Sequence, residues 1–147
     1  MSETITENET VEEFLLQHKN KWTFFNVPFE DGQALENLVL KNNSKNILEI
    51  GTFTGHSTIW LAKAVQKTGG KIITIEIDRN RYEQSLKNFE EAGISHLTDA
   101  KLGDALQIIP TLNETFDFVF SDATLTVQPK ESYLLFFKAT EPKLPVD

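Results

Sequence analysis

The stretch that decides the fold is Ile47-Leu-Glu-Ile-Gly-Thr-Phe-Thr-Gly-His-Ser57, in which an apolar segment is followed by a turn with two glycines. A short apolar run of this kind is typical of a strand buried on both faces of a parallel sheet, and Gly51 marks the point where the chain must turn. Gly55 then allows close packing of the next segment. Residues 57–67 carry apolar side chains at helical spacing, so the stretch predicts a strand, a loop and a helix that covers the sheet.

The loop in this stretch is a candidate ligand site, because a glycine-containing loop after the first strand commonly binds a nucleotide-like molecule. It does not match the dinucleotide fingerprint, since Phe53 takes the place where a middle glycine would admit a pyrophosphate. Glu49 stands in an otherwise apolar strand, where a carboxylate is costly to desolvate unless a cation or hydrogen-bond donor compensates it. S-adenosylmethionine, with its ammonium and sulfonium groups, would do so. The alternative is a tight turn in which Glu49 pairs with a backbone or lysine group.

Length and composition predict a single domain that acts on a small molecule. The chain has 147 residues, of which 39% are hydrophobic, so we expect one domain over residues 1–147 with residues 1–8 frayed. A net charge of -8 argues against nucleic-acid or anionic-membrane partners, and the lack of cysteine excludes disulfides and thiolate metal sites. We find no membrane-span or signal-peptide pattern and expect a cytoplasmic protein.

Two helices are predicted before the first strand. Thr10 and Glu13 have the spacing of a capping box at the start of the first helix. Asp31 is predicted to cap the second helix. Its apolar stripe comprises Ala34, Leu35, Leu38 and Val39.

Three further strands are predicted downstream, over residues 71–77, 98–102 and 116–121. A helix capped by Asp78 follows the first of them. Its apolar stripe is predicted from Tyr82, Leu86 and Phe89, which stand at i, i+4 and i+7. Residues 128–140 are predicted to be helical, although their aromatic composition also suits a strand. This alternation predicts an α/β fold with a doubly wound, Rossmann-like parallel sheet, in which ligands bind at the carboxyl ends of the strands.

Two acids lie at such strand ends. Glu76 follows the glycine loop by about 20 residues or slightly more, a position where an acid accepts hydrogen bonds from a ribose diol. The alternative for Glu76 is an exposed strand-end acid. Asp122 follows the fourth predicted strand and is expected at the same edge of the sheet.

Five motifs occur in a fixed order along residues 22–124. They are Asn26-Val27-Pro28-x-Glu30-Asp31-Gly32, Leu48-Glu49-Ile50-Gly51-Thr52-x-Thr54-Gly55-x-Ser57, Ile75-Glu76-Ile77-Asp78, Gly103-Asp104-Ala105 and Phe116-Asp117-Phe118-Val119-Phe120-x-Asp122-Ala123. In combination they resemble the S-adenosylmethionine-dependent O-methyltransferases. More narrowly, they resemble the cation-dependent group typified by catechol and caffeoyl-CoA O-methyltransferases.

The resemblance implies binding of S-adenosyl-L-methionine and methylation of a small hydroxylated acceptor. The implied cofactor-binding residues are Val27, Glu49, Gly51 and Ser57 at the methionine end, Thr52 and Phe53 in the loop, Glu76 at the ribose, Ile77, Asp104 and Ala105 around the adenine, and Asp122. Asp122 is also the candidate catalytic residue, because it matches the first metal-binding aspartate of the group.

The sequence departs from this group in two ways. The group continues Asp-Ala-Asp-Lys, whereas this chain reads Asp122-Ala123-Thr124-Leu125, so the lysine that deprotonates the acceptor is absent. Lys130 is nearby in sequence, but we interpret it as a solvated lysine at the start of a helix. The group also has seven strands, whereas four are predicted here, so we expect a sheet truncated after the fourth strand. One aspartate is too few for Mg²⁺, and we therefore predict no metal site and regard a divalent metal as doubtful.

Three functions remain open from the sequence. The first is an O-methyltransferase, and the second is a shortened homologue that binds the cofactor but is catalytically impaired. The third is a nucleotide-binding dehydrogenase, against which Phe53 argues. We also expect self-association, most simply as a homodimer that buries the edge of residues 117–121 and the apolar cluster of residues 133–137.

Overall fold

Helices and strands alternate along the chain in a computed structural model that describes residues 6–22, 26–122 and 140–144. The helices are α1 (Glu7–Gln17), α2 (Phe29–Lys41), α3 (His56–Thr68), α4 (Arg79–Ala92) and α5 (Ala105–Ile108). The strands are β1 (Asn46–Ile50), β2 (Lys71–Glu76), β3 (Thr98–Leu102) and β4 (Phe118–Ser121). Short 3-10 turns cover Ser95–Leu97, Ile109–Thr111 and Glu141–Lys143.

The four strands form one parallel sheet in the order β3-β2-β1-β4. This arrangement confirms the predicted α/β fold with a Rossmann-like parallel sheet. Because β1 lies between β2 and β4, the loop after β1 is flanked by the residues that follow both neighbours. Backbone hydrogen bonds continue past the strand ends: the N–H of Gly51 donates to Ile75 O at 2.9 Å and that of Asp122 donates to Ile50 O at 3.0 Å. The loop, Glu76 and Asp122 therefore lie together at the carboxyl ends of the strands.

Side chains alternate along β1 and form a core on each face of the sheet. Ile47 belongs to the larger core, which includes residues of α1 to α4, whereas Leu48 and Ile50 belong to the smaller core beside α5. Both faces are covered, which explains the continuous apolar character of β1.

The start of each of the first two helices corrects a prediction. The capping box of α1 is formed by Thr6 and Glu9, with the Glu9 N–H donating to Thr6 Oγ1 at 3.2 Å and the Thr6 N–H donating to Glu9 Oε2 at 2.8 Å. The predicted box at Thr10 and Glu13 is wrong because the helix begins one turn earlier. Asp31 is not the cap of α2: Pro28 holds that position, and Asp31 lies in the first turn, where an acid favours the helix dipole.

The apolar stripes of α2 and α4 are narrower than predicted. Leu35 and Val39 are buried, whereas Ala34 and Leu38 are exposed. The reason is the close approach of α2 to α3, since a Cβ atom on Gly32 would lie 2.1 Å from the Trp60 ring. The buried face of α2 is therefore centred on the line of Gly32, Leu35 and Val39.

In α4, Asp78 is the N-cap as predicted, and its side chain accepts from the Arg81 N–H at 2.9 Å. Phe89 is fully buried, but Leu86 is 40% exposed, and Ser85 occupies the inward position instead. The prediction for Leu86 is wrong.

Some predictions lie outside the described residues. They concern the helix over 128–140, the cluster over 133–137, and Ala123, Thr124, Leu125 and Lys130. Within the described ranges, β4 pairs with β1 on one side and with no strand on the other. None of the helices in those ranges is long and apolar enough to cross a membrane.

Candidate active site

The loop between β1 and α3 has an unusual backbone, with positive φ at Gly51 (95°), Phe53 (53°) and Gly55 (102°). Gly55 is the N-cap of α3, and a Cβ atom there would lie 2.5 Å from Cε1 of Phe89. Only glycine allows this approach at that φ, so the prediction that Gly55 permits close packing is confirmed.

Phe53 holds a backbone conformation that a bulky residue rarely adopts, and its surroundings compensate the strain. Its N–H donates to Glu76 Oε1 at 2.7 Å, and its ring centroid lies 5.3 Å from the guanidinium carbon of Arg81. The loop is thereby tied to the end of β2.

Glu76 is buried at the end of β2, with 3% of its surface exposed. Oε1 accepts from Phe53, whereas Oε2 accepts from the Asp78 N–H at 3.0 Å and lies 3.3 Å from Arg81 Nε. The alternative interpretation of Glu76 as an exposed strand-end acid is wrong. A carboxylate with about four lone-pair sites retains acceptor capacity beyond these three contacts.

Glu49 is completely buried and is surrounded by hydroxyl groups. Ser57 Oγ donates to Oε2 at 2.5 Å, and the hydroxyls of Thr58 and Thr74 donate to Oε1, the latter at 2.7 Å. Burial raises the pKa of Glu49 to about 7, the three donors oppose that rise, and the nearby Asp122 carboxylate adds to it. The alternative in which Glu49 pairs with a backbone or lysine group is wrong, because its partners are hydroxyls.

This network extends into the loop. Thr74 gives its single hydroxyl proton to Glu49, so Thr52 must donate in the 2.6 Å contact between Thr52 Oγ1 and Thr74 Oγ1. Glu49 therefore connects β1, β2, the loop and the first turn of α3.

Sequence reasoning missed Thr58 and Thr74. A signal for Thr74 was available, since it is the polar residue within the apolar β2 and lies opposite Glu49 in the strand register.

Asp122 directly follows β4 and is half-buried near Glu49. Burial, and then the proximity of the Asp31 carboxylate, raise the pKa of Asp122 above its usual value. A site that disfavours additional negative charge in this way favours a cationic ligand. The part of the chain that the structure describes nevertheless groups no three His, Cys, Asp or Glu residues suited to a metal ion. These residues by themselves do not fit Mg²⁺.

The residues predicted near an adenine follow β2 and β3 at the same sheet edge. Ile77 is 66% exposed, next to the buried Glu76. Asp104 caps α5 by accepting from the Leu106 N–H at 2.9 Å, and Ala105 is buried. The N–H of Gly103 donates to Glu76 O at 2.9 Å, which holds the end of β3 beside that of β2.

Val27 lies across the start of α3, where its carbonyl accepts from His56 Nδ1 at 2.6 Å. A cleft of about 320 Å³ opens beside this contact. Its lining comprises Lys19, Asn20, Trp22, Asn26, Val27, Pro28, Phe29 and His56. Sequence reasoning missed His56, whose partners are distant in sequence except for Trp60, one turn later in the same helix.

The structure thus brings the predicted residues together at the carboxyl ends of the strands, from Val27 through the loop to Asp104, with Asp122 beside Glu49.

Solved structures of other proteins have a similar fold. The chain superposes on the O-methyltransferase TomG of Streptomyces achromogenes, solved in complex with SAM, with a TM-score of 0.76, 32% identity and coverage of 96% of this chain and 63% of that one. For an O-methyltransferase of Bacillus cereus in complex with SAH, the TM-score is 0.77 at 30% identity, covering 92% of this chain and 61% of that one.

Curated relatives include caffeoyl-CoA O-methyltransferases of plants. One from Petunia hybrida is 35% identical over 126 residues, which cover 82% of this chain and 50% of the relative. One from Petroselinum crispum is 36% identical with the same coverage. The chain thus spans about half the length of these relatives. A family model described as O-methyltransferase matches residues 1–141. This chain belongs to the O-methyltransferase family.

Proposed function

We propose that this chain binds S-adenosylmethionine and acts in the transfer of its methyl group to the oxygen of a small hydroxylated acceptor. The observation that carries the proposal is the grouping of residues at the carboxyl ends of the strands, where the glycine loop lies between the buried Glu76 and the Glu49 network. Support also comes from the family match and from the two related structures, one solved in complex with SAM and the other with SAH.

The proposed contacts follow the charges and hydrogen-bonding groups at these strand ends. Glu49, Gly51 and Ser57, with Val27 beside them, take the methionine end, where the carboxyl groups of Glu49 and Asp122 favour a cation. Thr52 and Phe53 lie in the loop between this end and Glu76, which takes the ribose hydroxyls. Ile77, Asp104 and Ala105 border the adenine.

When bound, S-adenosylmethionine supplies a methyl group activated by positive sulfur. The contribution of the chain is to hold the sulfur and the acceptor oxygen in line and to shield them from water. Asp122 is the described residue that we propose at the reacting end. We propose no general base among the described residues.

Calorimetry with S-adenosylhomocysteine and with NAD tests the cofactor. We expect binding of the former alone, and binding of NAD alone would support the dehydrogenase alternative instead. A methyl-transfer assay with catechol-type acceptors, with and without Mg²⁺, then tests the reaction. Cofactor binding without turnover in either condition would favour the impaired homologue, for which the comparisons give no support.

Glu76→Ala should weaken the binding of S-adenosylhomocysteine by roughly 1 to 3 kcal/mol, or about 5- to 150-fold in Kd, because a buried charged acceptor is removed from the ribose. Calorimetry measures the change. Since Glu76 also accepts from Phe53, thermal unfolding of the same variant must show that it remains folded at the assay temperature. Glu83→Ala, at an exposed position of α4, is the matched control. Equal affinities of the two variants would remove the ribose assignment.

We further propose that the chain self-associates through the outer edge of β4, which pairs with no strand within the described ranges. Open backbone N–H and C=O groups on such an edge favour pairing with a second copy. Light scattering over a dilution series at micromolar concentration should give a mass above that of one chain. A stable monomer that binds no hydrophobic dye would contradict this prediction. The cytoplasmic location likewise stays a prediction.

A further inference from the structure

His56 joins the segment before α2 to the start of α3. It is 1% exposed, and its ring stacks on Trp22 with centroids 4.5 Å apart and an interplanar angle of 18°. Phe14 packs edge-on against the other end of this group, with its centroid 6.1 Å from that of Trp22. The imidazole is therefore stacked on an aromatic group of Trp22 and Phe14.

Both nitrogens of His56 have partners, and these partners determine where its proton lies. Trp60 Nε1 donates to His56 Nε2 at 3.0 Å, and because an indole nitrogen is only a donor, Nε2 must be the acceptor. Nδ1 consequently carries the proton and donates it to Val27 O at 2.6 Å. Protonation of Nε2 would place two donors face to face. One tautomer of the neutral ring satisfies both contacts.

Asn26 provides a second connection between the same two parts of the chain. Its Nδ2 donates to Thr54 Oγ1 at 2.7 Å, and its Oδ1 lies 3.4 Å from the backbone nitrogen of His56. Residues 26–28 are therefore attached both to the glycine loop and to the first turn of α3.

The first turn of α3 contacts both the segment before α2 and the Glu49 network. His56 contacts Val27, whereas the next two residues, Ser57 and Thr58, donate to Glu49. A rotation or shift of this turn would move both groups at once. The distance between Val27 and the Glu49 network is therefore fixed by one helical turn.

We propose that His56 is a positioning residue, which holds residues 26–28 against the glycine loop and so sets the width of the methionine end of the cofactor site. This inference rests on the proposed function, because it is there that Val27 and Ser57 are assigned to the methionine end. It predicts a defect confined to ligands that carry the amino-acid part of the cofactor.

The test compares two ligands by calorimetry. S-adenosylhomocysteine carries the amino-acid end, whereas methylthioadenosine shares the adenine, ribose and sulfur but lacks it. His56→Phe keeps a ring for stacking on Trp22 and removes both hydrogen bonds. We expect its affinity for S-adenosylhomocysteine to fall by about 10-fold or more. Its affinity for methylthioadenosine should change by less than about 3-fold. His56→Asn retains a donor near the Nδ1 position, and we expect it to stay within about 3-fold of the parent for both ligands.

The outcomes are separable. If neither ligand binds the parent chain, the proposed function fails. If the parent binds both and His56→Phe weakens both equally, or neither, the positioning role is overturned and His56 is only a structural residue. Should His56→Phe not fold, His56→Gln replaces it, since glutamine can still accept from Trp60 but has no donor at the Nδ1 position, and the same two outcomes decide.

Discussion

Gly51→Val should abolish detectable binding of S-adenosylhomocysteine. Gly51 has φ of 95°, a conformation that a β-branched residue adopts only with strain. Its N–H donates to Ile75 O, so the backbone cannot rotate away without breaking a bond that continues the sheet. The valine side chain would also stand where we propose that the backbone meets the methionine end of the cofactor. Strain and obstruction therefore act together.

Gly69→Val is the matched control for this experiment. Gly69 has φ of 82° and ends α3, about 20 Å along the helix from the loop, with nothing within 4 Å of an added Cβ atom. Each variant carries a comparable backbone penalty of about 1 to 2 kcal/mol, but only one is at the site. Thermal unfolding measures the shared penalty and calorimetry the difference in binding. If Gly51→Val does not fold, Gly51→Ala and Gly69→Ala form the same pair. Equal binding by the two variants of a pair would show that the loop is not the cofactor site.

The features that the sequence predicted well are those encoded locally. The strand before Gly51, the turn and the helix after it follow from one continuous stretch, and the Asp78 cap follows from a residue and the helix it begins. Glu76 was predicted to lie at the carboxyl end of the second strand, where the structure places it, and the structure adds that its carboxylate is buried.

Predictions failed where more than one set of residues fits the same local sequence pattern. Thr6 with Glu9 and Thr10 with Glu13 have the same capping-box spacing, and the first pair forms the box in a helix that packs on α3 and α4. Leu38 and Leu86 fit a helical stripe by periodicity, but they are exposed because the stripe is centred elsewhere. Neighbouring elements, which a single stretch does not encode, decide these cases.

The side-chain networks of the site were the least predictable part. The partners of Glu49 come from α3 and β2, so identifying them requires the register of two strands and the rotation of a helix. His56 stands between Gly55 and Ser57 without any pattern of its own. Its hydrogen-bond partners are Val27, 29 residues earlier, and Trp60, four residues later.

Glu49 and His56 should give the folding stability two pH dependences of opposite sign. Burial lowers the pKa of His56 from 6.5 to about 4, so between these values the unfolded chain binds more protons and stability rises with pH. Burial raises the pKa of Glu49 from 4.5 to about 7, so the folded chain binds more protons and stability falls as pH rises through this window. Each effect amounts to about 3 kcal/mol when fully developed. The two nearly cancel between pH 4.5 and 6.5 in the parent chain.

Glu49→Gln removes one of these opposing effects and should therefore become more stable, relative to the parent, as the pH rises from 4.5 to 7. The free energy of unfolding of the variant minus that of the parent should rise by about 3 kcal/mol over this range. Replacing the carboxyl group by an amide also has a cost, but that cost is constant with pH and does not alter the rise. Urea unfolding at a series of pH values measures it, with Glu83→Gln as an exposed control whose difference stays constant. His56→Phe should show the reverse and become less stable relative to the parent as the pH rises. Only the parent gains stability from His56 over this range, because only its unfolded chain binds the extra proton on His56 at low pH. A difference for Glu49→Gln that does not vary with pH would mean that Glu49 is ionised throughout this range, held as an anion by the hydroxyls of Ser57, Thr58 and Thr74.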